Sequence, residues 1–439
     1  MAALDVDYLV VGAGATGLAF TDALVAHADV RVAVVDRRER VGGHWVDAYP
    51  FVRLHQASVF YGVASRVLGG AVQTSGPEAG LHERATGAEV CAYFDAVLQD
   101  TLLPSGKVEF LPGETYAAGR WELPEHCRLV NAHYLEPEIP SRTPPPWQVE
   151  EGAHVVAAND VPADAQEYVV VGSGKTATDT CIWLLQQGVD PERISWVRPR
   201  DPWMLNRAVI QPDPVAYLGY VADTMEAAAA ATSLDGLFLD LEERGVMLRI
   251  DRTVLPTMAR CPTLATWELD LLRSLPRVVR RGHLRSVGPG VLRFTDGDVR
   301  VGHDAVVVHC AASGLRNPDR VPVWTREAIT LQPVRAGFPC FGAALIGYVE
   351  ATRDDDEVKN RLCPPSTYGN TLRDWALMTL RGSRASTAFG AEPDISAWAN
   401  EVRLNPARID TRTPAVDAVL ERLAHSSPNG LAQLQSLTS

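Results

Sequence analysis

Two stretches of the chain share one order of apolar and polar positions. Residues 6–11 (VDYLVV) form a short apolar run, which predicts a buried strand. A glycine-rich turn follows, and residues 17–27 (GLAFTDALVAH) then place Leu18, Phe20, Ala23, Leu24 and Val25 at helical spacing. A second apolar strand is predicted at 30–35 (VRVAVV), ending in Asp36. The same order returns at 167–171 (EYVVV), with another glycine-rich turn, a helix over 177–187 and a strand over 194–197 (ISWV). Strand and helix in alternation predict parallel sheets covered by helices, so the fold class is α/β with two Rossmann-like, three-layer domains.

Between and beyond these units the pattern changes. Residues 137–146 (PEIPSRTPPP) carry five prolines and read as a stiff, extended linker. Residues 213–282 follow helical periodicity for most of their length and exceed what a Rossmann unit needs, so they read as a helical insertion. Residues 283–302 predict a meander with turns at Gly288-Pro289-Gly290 and Asp296-Gly297-Asp298, and 304–309 (DAVVVH) predicts a buried strand. Residues 415–438 read as amphipathic or irregular surface structure.

Composition narrows the functions. At ~150 residues per domain, 439 residues suggest about three folding units. An apolar fraction of 46% and a charged fraction of 22% exclude bulk disorder. The net charge of −13 repels phosphate backbones, which argues against nucleic acid as a partner. No apolar run reaches the ~20 residues of a membrane span. The acidic start MAALDVDY lacks the positive region of a signal peptide. The seven cysteines are odd in number, and no two lie within four residues of each other. That spacing excludes a C-x-x-C redox pair and a local zinc knuckle, and a cytoplasmic, metal-free protein is expected.

The turns carry the chemistry. Gly12-Ala13-Gly14-Ala15-Thr16-Gly17 is a G-x-G-x-x-G between strand and helix. Gly12 permits the tight turn, Gly14 lets a pyrophosphate approach the backbone, and Gly17 lets helix and strand pack closely. Ala15 and Thr16 open the helix, whose free N–H groups and positive dipole end suit phosphates. Asp36, 19 residues after Gly17 and followed by Arg37, is placed for the adenosine ribose hydroxyls. The second turn, Gly172-Ser173-Gly174-Lys175-Thr176-Ala177, is a G-x-G-x-x-A. Its G-S-G-K-T string is no P-loop, because Val169 occupies the position that must be glycine. Here the second strand ends in Arg198-Pro199-Arg200 with no carboxylate, and a guanidinium there suits the 2′-phosphate of NADPH over NADH.

After the first unit comes Arg40-Val41-Gly42-Gly43-His44-Trp45. With it the chain resembles FAD-dependent two-dinucleotide enzymes, above all flavin-containing and Baeyer–Villiger monooxygenases. Their Gly-Gly-x-Trp is matched by Gly42, Gly43 and Trp45. The stretch Trp147 to His154 keeps Gly152 and His154 but not the phenylalanine or spacing of the F-x-G-x-x-x-H common to both families. The resemblance implies FAD at the first site and NADPH at the second, with the FAD-binding part split over 1–146 and 331–439 around an NADPH-binding part at 147–330. Residues 338–350 would supply the final flavin-contacting strand and helix. Tyr49-Pro50, then Arg53-Leu54-His55-Gln56, occupy the place where such enzymes contact the flavin, which makes His55 and Gln56 the candidate catalytic residues and Arg53 and His55 cofactor contacts, alongside His44. The implied reaction is oxygenation of a small-molecule substrate at nitrogen, sulfur or a carbonyl carbon by molecular oxygen, through a C4a-peroxyflavin. A plain NADPH-dependent flavin reductase, and a protein with structural FAD, remain as alternatives. A homodimer is one expectation for the assembly.

Overall fold

The computed structural model describes residues 2–335 and 337–439. It has the α/β class expected, built around two five-stranded parallel sheets. The first runs in the order Ile329–Thr330, Arg128–Asn131, Tyr8–Val11, Val32–Val35, Val108–Leu111. Its strand Val32–Val35 is buried on both faces, which is why it reads as a continuous apolar run and not as an alternation. Helix Ala15–His27 covers one face beside helix Pro339–Thr352. The two touch where Gly347 meets Phe20, and a Cβ on Gly347 would lie 2.5 Å from the Phe20 carbonyl oxygen.

The strand and helix contributed by the distant segment 329–352 are tied back by one buried carboxylate. Glu350 accepts from the Tyr8 hydroxyl at 2.7 Å, the Trp324 indole at 2.7 Å and the Lys359 ammonium at 2.6 Å. Arg128 bridges Glu350 and Asp356. Segment 338–350, expected to hold a strand and a helix, is helical from Pro339 onward, and the strand of that region lies earlier, at Ile329–Thr330.

The second sheet runs Arg277–Val279, Ile194–Val197, Tyr168–Val171, Val306–His309, Val155–Ala157. Helix Lys175–Gln186 follows its central strand. The meander is present as Leu284–Gly288, Val291–Phe294 and Gly297–Arg300.

Residues 213–282 are less helical than their periodicity suggests. Helices Pro214–Ala230, Leu234–Glu243 and Thr266–Arg273 are joined by strands Met247–Arg249 and Thr263–Leu264, which pair with Trp203–Asn206. Arg277–Val279 is an edge strand of the second sheet. Short strands of two or three residues carry no readable period, and pairing partners 40 to 60 residues away decide them. The C-terminal segment is also more regular than its pattern: Pro414–Leu437 is one helix with Pro428 inside it, packed on Pro214–Ala230, where Gly430 sits against Met225. No helix among the described residues is long and apolar enough to cross a membrane.

Candidate functional site

Both glycine turns fall at the C-terminal end of the central strand of a parallel sheet, the crevice where such sheets take ligands. Gly12 and Gly172 have φ of +113° and +144°, which L side chains rarely adopt. Gly17 packs so closely that a Cβ would lie 2.0 Å from the Gly12 carbonyl oxygen, and one on Gly172 would lie 2.6 Å from that of Cys310.

The two glycine entrances leave their helices without a side-chain cap. Six other α-helices open on Thr86, Asp213, Ser233, Asp355, Thr371 or Thr413, whose side chains accept from first-turn N–H groups. Gly14 and Gly174 supply no side-chain cap, and neither first turn contains an acid. Their N–H donors and positive dipole ends are therefore available to an anion. A Cβ on Gly174 would meet nothing within 4 Å, so there is room for a ligand at that entrance.

Around the first turn the predicted residues come together. Asp36 is buried, and its carboxylate accepts from the Ala13 N–H at 2.8 Å and the Arg38 N–H at 2.9 Å. Gly42 donates its N–H to the Ala13 carbonyl at 3.0 Å, which folds the Gly42-Gly43 pair over the turn. Thr16 donates to the Ala132 carbonyl at 3.3 Å, and Ala15 is the first residue of the helix. Trp45 donates its indole N–H to the Tyr61 hydroxyl at 2.6 Å. Burial, with Arg38 nearby, lowers the His44 imidazole to about 4. Arg37 turns outward to pair with Glu136, and Arg53 is exposed, donating to the Arg84 carbonyl at 3.0 Å.

His55 and Gln56 lie between the two units. Gln56 donates to the Gly337 carbonyl at 3.2 Å, just before helix Pro339–Thr352. His55 holds Nδ1 buried with no hydrogen-bond partner. Burial first, then the cations Lys175, Arg207 and Arg84, keeps this imidazole neutral, well below its ordinary pKa. Its backbone carbonyl accepts from Arg207 Nε at 3.0 Å and from the Thr263 hydroxyl.

Arg207 belongs to a buried cluster that sequence reasoning missed. It pairs with Glu78 at 2.5 Å and Glu268 at 2.6 Å, while Arg84 pairs with Glu78 at 2.7 Å. Two positive and two negative side chains thus compensate one another where single charges would be costly. Their sequence separation hides them from any motif. Trp203, on the strand just before Arg207, is fully buried against Phe238.

At the second turn Lys175 pairs with Asp179, and Thr176 follows it half-buried. Arg198 is buried with its guanidinium 4.5 Å from the centre of the Trp196 ring and 2.8 Å from Asp201. Its Nε and one terminal nitrogen have no partner. Arg200 is exposed.

Two parallel sheets, each with an uncapped glycine entrance at its central strand, define an α/β architecture of two Rossmann-like units. A family model described as an NAD(P)-binding Rossmann-like domain matches residues 10–62. Uncharacterized proteins of Mycobacterium tuberculosis and Mycobacterium bovis are each 40% identical over 417 residues, spanning 92% of this chain and 78% of the relative. The chain belongs to the family of these mycobacterial proteins. Among solved structures, the polycyclic ketone monooxygenase of the fungus Thermothelomyces thermophila shares its fold, with a TM-score of 0.52 at 12% identity over 98% of this chain and 90% of that one. OTEMO, in an FAD-bound form, aligns with a TM-score of 0.50 at 15% identity over 82% and 84%.

Proposed function

We propose that this chain is an FAD- and NADPH-dependent monooxygenase that oxygenates a small organic substrate at nitrogen, sulfur or a carbonyl carbon. The observation that carries the reading is the pair of uncapped helix entrances at Gly14 and Gly174, one per sheet, with Asp36 beside the first and Arg198 beside the second. The FAD-bound form of OTEMO supports FAD, and the ketone named for the fungal neighbour supports a carbonyl substrate among the three.

Bound FAD would accept hydride from NADPH and react with oxygen. The chain's own residues do the rest. The N–H groups behind Gly14 and Gly174 bind the two pyrophosphates, and Asp36 takes the adenosine ribose of FAD. The two unpartnered nitrogens of Arg198 fit a 2′-phosphate, since a buried donor without an acceptor is costly until a ligand supplies one. His55, neutral at Nδ1, and Gln56, anchored on Gly337, orient the reacting groups between the two sites. Residues 1–146 and the segment from about 329 onward form the FAD-binding part, with the NADPH-binding part between them.

The test is anaerobic mixing of the FAD-loaded chain with NADPH, then with oxygen. Rapid loss of the flavin's visible absorbance, followed by slow peroxide release while NADP⁺ stays bound, supports the monooxygenase. Rapid, stoichiometric peroxide release supports a reductase. No absorbance loss sinks both.

A further inference from the structure

Lys175 is the first residue of the second glycine-entered helix, and its ammonium is taken up by Asp179 one turn later. The same Asp179 oxygen accepts the Tyr49 hydroxyl at 2.8 Å. Tyr49 belongs to the loop that follows Gly42-Gly43 at the first site. Two residues on, Phe51 stacks on Trp183 of the same helix, with ring centres 4.8 Å apart and 13° between planes. One carboxylate therefore joins the loop of the first site to the cation at the mouth of the second. The Lys175 and Asp179 side chains are 15% and 12% exposed, so water screens the pair only in part. The other nearby carboxylate, Glu268, is already held by Arg207 and Arg84.

A diphosphate at the Gly174 entrance would compete for Lys175, because it brings negative charge to a cation whose present partner is a single acid. It would also meet the Asp179 charge itself. We propose that Asp179 is a positioning residue that restrains Lys175 and so sets the nucleotide affinity of the second site. Transfer of Lys175 from Asp179 to the diphosphate leaves Tyr49 as the remaining donor to that Asp179 oxygen and so passes occupancy of the second site to the loop of the first. The proposal rests on the reading of the second turn as a nucleotide site.

Calorimetric titration of the FAD-loaded chain with NADP⁺ and with adenosine 2′-monophosphate, which lacks the diphosphate, tests it. Asp179→Asn removes the charge and keeps an acceptor for Tyr49. It should tighten NADP⁺ binding at least about tenfold, the factor expected for removing one unit charge ~10 Å from another at an effective dielectric of ~20. Binding of adenosine 2′-monophosphate should not change. In Lys175→Gln the effect of Asp179→Asn should shrink to the direct repulsion between Asp179 and the diphosphate, a non-additivity that a purely structural role for Asp179 would not produce. NADP⁺ should slow FAD release from the unaltered chain, and Tyr49→Phe should remove that slowing. Unchanged or weaker NADP⁺ binding in Asp179→Asn, with normal binding by the unaltered chain, overturns the restraint. FAD release that still responds to NADP⁺ in Tyr49→Phe overturns the link between sites. If the unaltered chain binds neither probe, the nucleotide reading falls and takes the proposal with it.

Discussion

Gly43 lies directly against Gly14: a Cβ on Gly43 would stand 2.9 Å from the Gly14 Cα. Gly43 also has φ of +59°. The two glycine signals of the first site, 29 residues apart in the sequence, are thus one feature in space. Gly43→Ala should cost about 1 kcal/mol for the backbone conformation and ~1–3 kcal/mol more for the crowding. It should also lower FAD retention about tenfold or more. Gly80→Ala is the control: Gly80 has φ of +89° and nothing within 4 Å of a Cβ, so it should lose only the first amount. Flavin content per chain and thermal melting midpoints compare the two.

Asp36 carries a second prediction. Its carboxylate already accepts two backbone N–H groups, from Ala13 and Arg38, and thereby shapes the turn that would meet the adenosine ribose. Asp36→Asn has one acceptor oxygen and places an NH₂ against an N–H donor. Hydrogen bonds to a charged group contribute ~1.5–3 kcal/mol, so FAD dissociation should rise by about ten- to a hundredfold. Equilibrium flavin fluorescence measures it, and an unchanged constant would remove Asp36 from the ribose site.

The parts read correctly from sequence are those whose physics is local. A buried strand, a turn that needs glycine and a helix that starts after it declare themselves within thirty residues, as Tyr8–Val11 through Val35 show. Contacts made by folding do not. Tyr49 meets Asp179 across 130 residues and Arg84 meets Glu268 across 184, and nothing in either neighbourhood announces the partner. The Lys175–Asp179 pair, at i and i+4 on one helix, was by contrast within reach of a spacing rule. Arg198 sat at the expected strand end, but its stacking on Trp196 and its pairing with Asp201 depend on the fold.

Arg198 yields a prediction on cofactor choice. Arg198→Gln removes the two unpartnered donors while leaving polar bulk beside Trp196. Loss of a bidentate guanidinium–phosphate contact should lower kcat/KM for NADPH about ten- to a hundredfold and leave NADH within about threefold. Equal losses with both nucleotides would mean that Arg198 supports structure and does not read the 2′-phosphate.

The buried cluster predicts an acid-sensitive stability. Burial pushes the Glu78 carboxyl up, but Arg207 and Arg84 outweigh it and hold the group at about 2. Its folded pKa is thus depressed below the unfolded value of ~4.3, so the stability it gives is present above pH ~4.3 and is lost as pH falls toward 2. A drop of about two units corresponds to about 3 kcal/mol. In urea unfolding, the gap between the unaltered chain and Glu78→Gln should be widest near pH 6 and shrink steadily from pH ~4.5 to ~2.5. A gap independent of pH would show that Glu78 acts through shape alone.

His55 gives the opposite expectation at neutral pH. Burial and the surrounding cations Lys175, Arg207 and Arg84 keep its imidazole uncharged, and its carbonyl is pinned by Arg207 and Thr263. A neutral ring in a fixed place can accept or donate a hydrogen bond at Nδ1, but it cannot gain a proton as pH falls from 8 to 6. The rate of flavin reduction by NADPH should therefore show no titration near the ordinary histidine value of ~6.5. His55→Leu should lower that rate about tenfold, the worth of one well-placed hydrogen bond, with a melting midpoint close to that of the unaltered chain. His55→Gln, which keeps a polar atom in reach of the same position, should recover part of the loss. A rate that follows a pKa near 6.5 in the unaltered chain but not in His55→Leu would show the imidazole charging during the reaction and would replace the orienting role with an acid–base one.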